Sequence, residues 1–307
     1  MVLPAFYDPR KVGTAYKANI YEAVDAGVEL GLASADKDKP RVALILVDMQ
    51  RDFVHRDGAL YVPGAVEDCR RIAEWIYRHV AAISKIFVSL DSHYPLQIFF
   101  PTWWRNADRR HPAPNTVITA EDVHAGRWQP VYEREWTAQY VDQLENQHKK
   151  QLMIWPFHTM VGTSGHSLSP ALYEAICYHS AARRAQPELI IKGEIAKTEH
   201  YSILEPEVKV TGHPGGQLNV KLLGELAQFD LVYIAGEAKS HCVLETVNSM
   251  MRHFRGQPHV ISRLRILEDA MSSAIVPGID FEAATNAVFE GHKTRGLSLA
   301  TTDEGIG

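Results

Sequence analysis

"RVALILVDMQ", residues 41 to 50, sets six consecutive apolar residues between an arginine and an aspartate. An aliphatic run this short, bounded by polar residues at both ends, reads as a strand buried on both faces, the kind found inside parallel sheets. Similar runs recur downstream: "KIFVSLD" (85 to 91), "KQLMIW" (150 to 155), "ELIIK" (188 to 192), "LVYIAG" (231 to 236) and "RLRILED" (263 to 269). Helix-period stretches separate several of them, including "AVEDCRRIAEWIYRHVAAIS" (65 to 84) and "CVLETVNSMMRHFRG" (242 to 256). Strand and helix in alternation predict an α/β fold, three layers α/β/α, with a mainly parallel sheet of about six strands.

Upstream of the first run, "ANIYEAVDAGVELGLAS" (18 to 34) reads as a helix and "ADKDKP" as a loop. Residues 1–40 therefore form a helical extension, and the main domain runs from 41 to 307. The rhythm breaks at about 96–149, where Trp103, Trp104, Trp128 and Trp136 stand among Pro, Arg and His. A long irregular connection of this kind is usually a lid or an oligomer contact.

Composition narrows the function. With 46% hydrophobic and 22% charged residues, the 307-residue chain can bury a substantial core. Its net charge of -5 is dispersed and no block of Lys and Arg occurs, which argues against nucleic-acid and membrane-surface partners. The N-terminal stretch lacks the apolar core of a signal peptide, and no run approaches the roughly 20 apolar residues that span a bilayer, so a cytoplasmic protein is expected. Cys69, Cys177 and Cys242 are too few for a disulfide framework and show no metal-ligand spacing. Each is either a buried filler or a reactive thiol.

In open parallel sheets, ligands bind beyond the carboxyl ends of the strands, so the residues closing each run carry the chemistry. The first run ends in Asp48, the second in Asp91 with His93 two positions on, the third leads to His158, the fourth ends in Lys192, and the fifth reaches Cys242 through "GEAKSH". Taken singly, each has an ordinary explanation. Asp48 can cap the helix at "MQRDF", Lys192 can be solvated, Cys242 can fill space, and the histidines can be hydrogen-bonded loop residues. His111, His124, His148 and His166 are read in that way. Taken together, a thiol at a helix start, a lysine that lowers its pKa and a carboxylate that accepts and returns its proton point to amide chemistry. Asp91, His93 and His158 offer a two-histidine, one-carboxylate site suited to zinc, iron or manganese.

Five stretches in this order, "LVDMQRDF" with "GALYVPGA", "SLDSH", "WPFHTMVGTSGHSL", "IIKGEIAKTEHYSIL" and "GEAKSHCV", resemble the nicotinamidase/isochorismatase-like cysteine hydrolases, the nicotinamidase branch in particular. The resemblance runs from about Arg41 to the C-terminus. It implies a homo-oligomeric amidohydrolase acting on a small-molecule amide, nicotinamide first, through a Cys242 thioester. A ureido compound or another small amide is the alternative substrate, and a non-catalytic binding protein the third reading. By the resemblance Cys242 is the nucleophile, Asp48 its general base and acid, and Lys192, which directly precedes Gly193, the cation that lowers the thiol pKa. Asp91, His93 and His158 hold one divalent metal, with zinc the usual occupant. Backbone N–H groups of Ala238 and Cys242 form the oxyanion hole beside a cis peptide at Glu237–Ala238. Phe53 and Tyr201 wall the pocket, and Gln50 supports the loop around Asp48. Two positions depart from the family pattern. "YPLQIFFP" lacks a further histidine after "DSH", and Glu237 replaces a small apolar residue, where a carboxylate could alter the pocket or bind a cationic group.

Overall fold

The computed structural model describes residues 3 to 147, 150 to 276 and 278 to 306, so His148 lies outside the described residues. Six strands form the central sheet: β1 (Val42–Val47), β2 (Lys85–Asp91), β3 (Glu188–Lys192), β4 (Leu231–Gly236), β5 (Leu264–Leu267) and β6 (Ser298–Ala300). Their order is β6-β5-β4-β1-β2-β3, and every neighbouring pair is parallel.

The all-apolar reading of β1 is explained by its two neighbours and two faces. Ala43, Ile45 and Val47 point into one core, with Leu223, Val247 and Phe289 from the helices on that side. Val42, Leu44 and Leu46 alternate to the other, with Ala23, Ile72 and Leu172. Every residue of β1 is buried, and each large aliphatic side chain so placed contributes about 1.5–3 kcal/mol. The three layers follow from that alternation.

The strand count matches the expectation, but one member differs. Residues 150 to 155 do not enter the central sheet; Leu152–Met153 pairs antiparallel with Val117–Ile118 in a separate two-stranded sheet. The sixth strand is Ser298–Ala300, a run of three residues too short to stand out. Leu152, Met153 and Ile154 are nonetheless core residues, and a short apolar run carries no periodicity that separates the two placements.

The stretch from 96 to 147 is more ordered than its composition suggests. It holds helices Ala120–His124 and Arg134–Asn146, the first closed by a capping box between Thr119 and Asp122. Trp103 and Trp104 are fully buried, their indole N–H groups donating to Thr137 Oγ1 (3.2 Å) and Ile98 O (2.6 Å). These two rings are core, not a docking face for a partner.

Helix Ile20–Glu29 packs on helix Pro170–Arg183, and Gly27 permits the approach, since a Cβ there would meet Tyr178 O at 2.4 Å. Tyr16 Oη and Asn19 N–H donate to Glu174 across the same contact. No helix among the described residues is long and apolar enough to cross a membrane.

One core residue sets an acid limit. His179 is buried, donates Nε2–H to Ile83 O (2.9 Å), and burial lowers its pKa from 6.5 to about 4. It is neutral when folded and takes up a proton when unfolded. Its contribution is therefore full above pH 6.5 and is lost as pH falls towards 4, a change of about 3 kcal/mol. Urea unfolding of His179→Gln should show a shallower loss of stability across that window than the wild type; equal slopes would contradict the assignment.

Candidate active site

Beyond the carboxyl ends of β1, β2 and β3, three charged groups meet. Asp48 follows β1 in the left-handed region (φ 47°), an uncommon conformation for a non-glycine residue. Ser89 on β2 fixes it: the Asp48 N–H donates to Ser89 Oγ (2.9 Å), and that hydroxyl donates to Asp48 Oδ1 (2.5 Å). Lys192 ends β3, and its Nζ lies 2.9 Å from Asp48 Oδ2, 2.7 Å from Asp91 Oδ1 and 3.7 Å from Cys242 Sγ, donating also to His200 O (2.9 Å). The contact with Asp48 Oδ2 is an ion pair without hydrogen-bond alignment, so that oxygen keeps a lone pair for another proton. All four side chains are buried.

Cys242 arrives from β4. Gly236 closes that strand at φ 122°, where a Cβ would strike Val47 O at 2.2 Å, so the β1–β4 crossing requires glycine. The Glu237–Ala238 peptide that follows is cis. Cys242 then sits in a π-turn, Lys239–Val243, that feeds helix Leu244–His253. The Ala238 N–H has no partner among the described residues.

The charge balance differs from the sequence expectation in one respect. A helix start and Lys192 were expected to lower the pKa of the Cys242 thiol. Burial instead pushes the thiol well above its ordinary value, Lys192 pulls against this, and Asp48 and Asp91 add to it. Cys242 therefore rests as S–H. Burial also raises Asp48, opposed by Lys192, which makes its carboxylate a better proton acceptor than an exposed aspartate. Burial alone would discharge Lys192, but Asp48, Asp91 and Cys242 around it hold its pKa well above the ordinary value. It is a permanent cation between two carboxyl groups.

Asp91, His93 and His158 form a second cluster, whose candidate ligand atoms all lie within 4.8 Å of one another. His93 Nδ1 faces Gly193 O (3.1 Å) and His158 Nδ1 faces Pro156 O (2.8 Å). Each Nδ1 must carry its proton to satisfy a carbonyl, which leaves both Nε2 atoms as lone pairs. These point at Asp91 Oδ2, 2.8 and 3.6 Å away. Three acceptors facing one another in a buried site repel, and a cation among them resolves the conflict. The donor set thus fits a divalent metal, zinc, iron or manganese.

The supports of this cluster explain several local sequence features. Gly193 has φ 85°, and a Cβ there would lie 2.7 Å from both Asp91 Oδ1 and the His93 ring. That is the physical basis of the Lys192–Gly193 pairing. Gln50 donates to Asp91 O (2.8 Å) and His166 O (2.9 Å) and accepts from the Asp91 N–H (2.7 Å). Asp52 Oδ2 accepts from the Thr159 N–H (2.7 Å) and so pins the loop of His158, whose ring abuts Phe53. Gln50→Leu keeps the volume and removes the clamp; zinc affinity measured by chelator competition should fall by about 10–100-fold, and an unchanged affinity would show that Gln50 does not hold the ligand geometry.

A cavity of about 120 Å³ connects the two clusters, with Cys242, Ala238, Asp91 and His158 in its wall and Phe53 and Tyr201 beside them. A void of this size accepts one small ring. Tyr201 is held by Trp155, whose Nε1–H donates to its hydroxyl (3.1 Å), and both rings pack on His241. Glu237 does not line this cavity. Its carboxyl turns away to Asp68 and the Ser272 N–H, and burial followed by the Asp68 charge raises its pKa well above the usual range, so it is neutral. The pocket-altering or cation-binding role considered for it is thereby removed.

The other candidate site residues, Asp48, Gln50, Phe53, Asp91, His93, His158, Lys192, Tyr201, Ala238 and Cys242, lie at one cavity or beside it. Sequence reasoning missed Ser89, Asp52, Trp155, His241 and Glu199. Ser89 carried a usable signal, since it lies two positions before Asp91 on the same strand.

No protein-family model and no curated protein sequence matches the chain. Solved structures do. A nicotinamidase/pyrazinamidase from Acinetobacter baumannii superposes with a TM-score of 0.55 at 19% identity, over 87% of this chain and 99% of that one. The yeast nicotinamidase bound to the inhibitor nicotinaldehyde gives 0.56 at 20% identity, over 85% and 99%. The Pyrococcus horikoshii pyrazinamidase in complex with zinc gives 0.50 at 20% identity, over 85% and 99%. The chain has the isochorismatase-like fold that these proteins share.

Proposed function

We propose that this protein is a cysteine amidohydrolase that cleaves a small carboxamide, nicotinamide first, to the acid and ammonia. One observation carries the reading. A thiol in the wall of a cavity sized for one small ring meets a buried ammonium and a carboxylate behind it, with Lys192 Nζ 2.9 Å from Asp48 and 3.7 Å from Cys242.

In the proposed reaction Asp48 takes the Cys242 S–H proton as sulfur attacks the carboxamide carbon. The carbonyl oxygen takes up negative charge against the backbone N–H groups of Ala238 and Cys242. Asp48 returns its proton to the nitrogen, the C–N bond breaks, and ammonia leaves a thioester. Asp48 then accepts a proton from an attacking water, the acid departs, and the thiol is restored. Lys192 stays charged throughout and stabilises whichever of Asp48 or Cys242 carries the negative charge. A divalent ion held by Asp91, His93 and His158 would supply a Lewis-acidic position for a substrate heteroatom such as a ring nitrogen.

Two of the structural neighbours fit this reading, the yeast nicotinamidase bound to nicotinaldehyde and the Pyrococcus pyrazinamidase in complex with zinc. Ammonia release from nicotinamide, pyrazinamide and a set of ureido acids, with and without added zinc, tests it directly. The expected result is turnover of the aromatic amides. Preference for ureido acids would move the substrate class, and release from none of them would defeat the amidase reading.

A further inference from the structure

Three segments that line the cavity are tied together behind it, at two carboxyl groups that the reaction above does not use. Residues 60–62 lead into helix Ala65–His79, which carries Asp68; residues 274–276 follow Ser272; and Ala238 follows Glu237. Ser272 joins the three. Its N–H donates to Glu237 Oε2 (3.2 Å), its hydroxyl donates to Asp68 Oδ2 (2.5 Å), and its carbonyl accepts from the Lys239 N–H (2.8 Å). Gly64 passes so close that a Cβ on it would lie 2.2 Å from Ser272 Oγ. The residues on both sides of Ala238 are therefore held by Ser272, Glu237 through its side chain and Lys239 through its backbone, while the Glu237 N–H is fixed by Val47 O (2.8 Å).

Asp68 is 2% exposed and Glu237 is fully buried. Arg71 lies 3.6 Å from Asp68 Oδ1, with its Nε–H already given to Asp269 O (2.6 Å), so it balances one negative charge and not a second. As a bare carboxylate oxygen, Glu237 Oε1 has no hydrogen-bond partner among the described residues, yet the Asp68 carboxyl lies within hydrogen-bond reach of the group. A proton on Oε1 resolves both difficulties, since it removes the second charge and supplies a donor to Asp68. We propose that Glu237 is a positioning residue for the amidase reaction, its protonated carboxyl joining Asp68 to Ser272 so that the Glu237–Ala238 peptide is held with its N–H at the place where the oxyanion forms. The inference rests on the amidase reading and deepens it at the oxyanion site. Burial, then the Asp68 charge, raises the Glu237 pKa well above the usual range, in keeping with the place of the proton. Glu237 touches no substrate atom. It acts through the Ala238 N–H, whose contribution grows as the carbonyl oxygen gains charge.

The test follows ammonia release by the full chain, with whichever amide of the panel above the wild type turns over fastest. Glu237→Gln offers an N–H to Asp68 and an oxygen to Ser272, so kcat should stay within about threefold of wild type. Glu237→Met fills the same space with neither. Its kcat should fall at least about tenfold while KM stays within about threefold, because an oxyanion donor is used in the transition state and not in substrate binding. Melting temperatures establish that the variants fold. If Glu237→Met does not, Ser272→Ala, which deletes only the hydroxyl, takes its place, with an expected fall in kcat of at least about threefold at unchanged KM. A kcat equal to wild type in the variant so read, a loss in Glu237→Gln as large as in that variant, or a loss carried by KM would overturn the proposal while leaving the amidase reading intact. Absence of ammonia release by the wild type from every amide of the panel would sink that reading, and this inference with it.

Discussion

Cys242→Ala should abolish ammonia release from nicotinamide, lowering the rate by at least about a thousandfold, while the melting temperature moves by only a few degrees. The sulfur is the atom that forms the proposed covalent intermediate, and no other side chain facing the cavity can replace it. Cys69 is fully buried, and burial pushes its thiol up to about 12, so it cannot act as a substitute nucleophile. Alanine at 242 removes one atom beside an existing cavity, so the structural cost is small. Steady-state ammonia release and a thermal melt measured on the same preparation separate the two effects. A variant with more than a few per cent of wild-type turnover would remove Cys242 from the chemistry.

Lys192→Met should damage both stability and activity. Its ammonium stands 2.9 Å from Asp48 and 2.7 Å from Asp91, with none of the three groups appreciably exposed. Methionine preserves the bulk but leaves two carboxyl groups facing each other in a buried site. Breaking a buried pair in this manner costs about 3–5 kcal/mol, because the surviving charges are uncompensated. Denaturant unfolding reads that loss. Adding Asp48→Asn to Lys192→Met should restore part of the stability, since it removes one of the stranded charges, yet restore none of the turnover. Recovery of neither, or a single variant as stable as the wild type, would mean that the lysine does not neutralise the carboxyl pair.

The residues that were legible in the sequence are those whose position is dictated by strand ends. Asp48, Asp91 and Lys192 close three adjacent parallel strands, so reading the last polar residue of each run found them without knowledge of the packing. Gly193 added independent support, because its φ of 85° and the 2.7 Å approach to Asp91 and His93 exclude a side chain there. What the sequence could not display depends on depth. Glu199 stands in the polar stretch "AKTEHYS", which reads as a surface loop, yet it is buried, with its backbone N–H donating to Tyr140 from a distant helix. The net balance at Cys242 escaped the sequence for the same reason. Spacing shows that a cation is near, but burial and two carboxylates, which decide the balance, become visible only with the chain folded. Asp52 illustrates the third gap: inside "MQRDF" it looks like a helix residue, and its bond to Thr159 crosses more than a hundred positions.

The central claim is that Cys242 carries the acyl group between amide and acid, and rapid acid quenching of the wild-type protein during nicotinamide turnover, followed by peptide mass spectrometry, examines it most directly. The account predicts a nicotinoyl adduct on the peptide containing Cys242, present during turnover and gone once substrate is consumed. Sustained ammonia release with the adduct on another residue, or with none on any peptide under conditions that preserve thioesters, would contradict it.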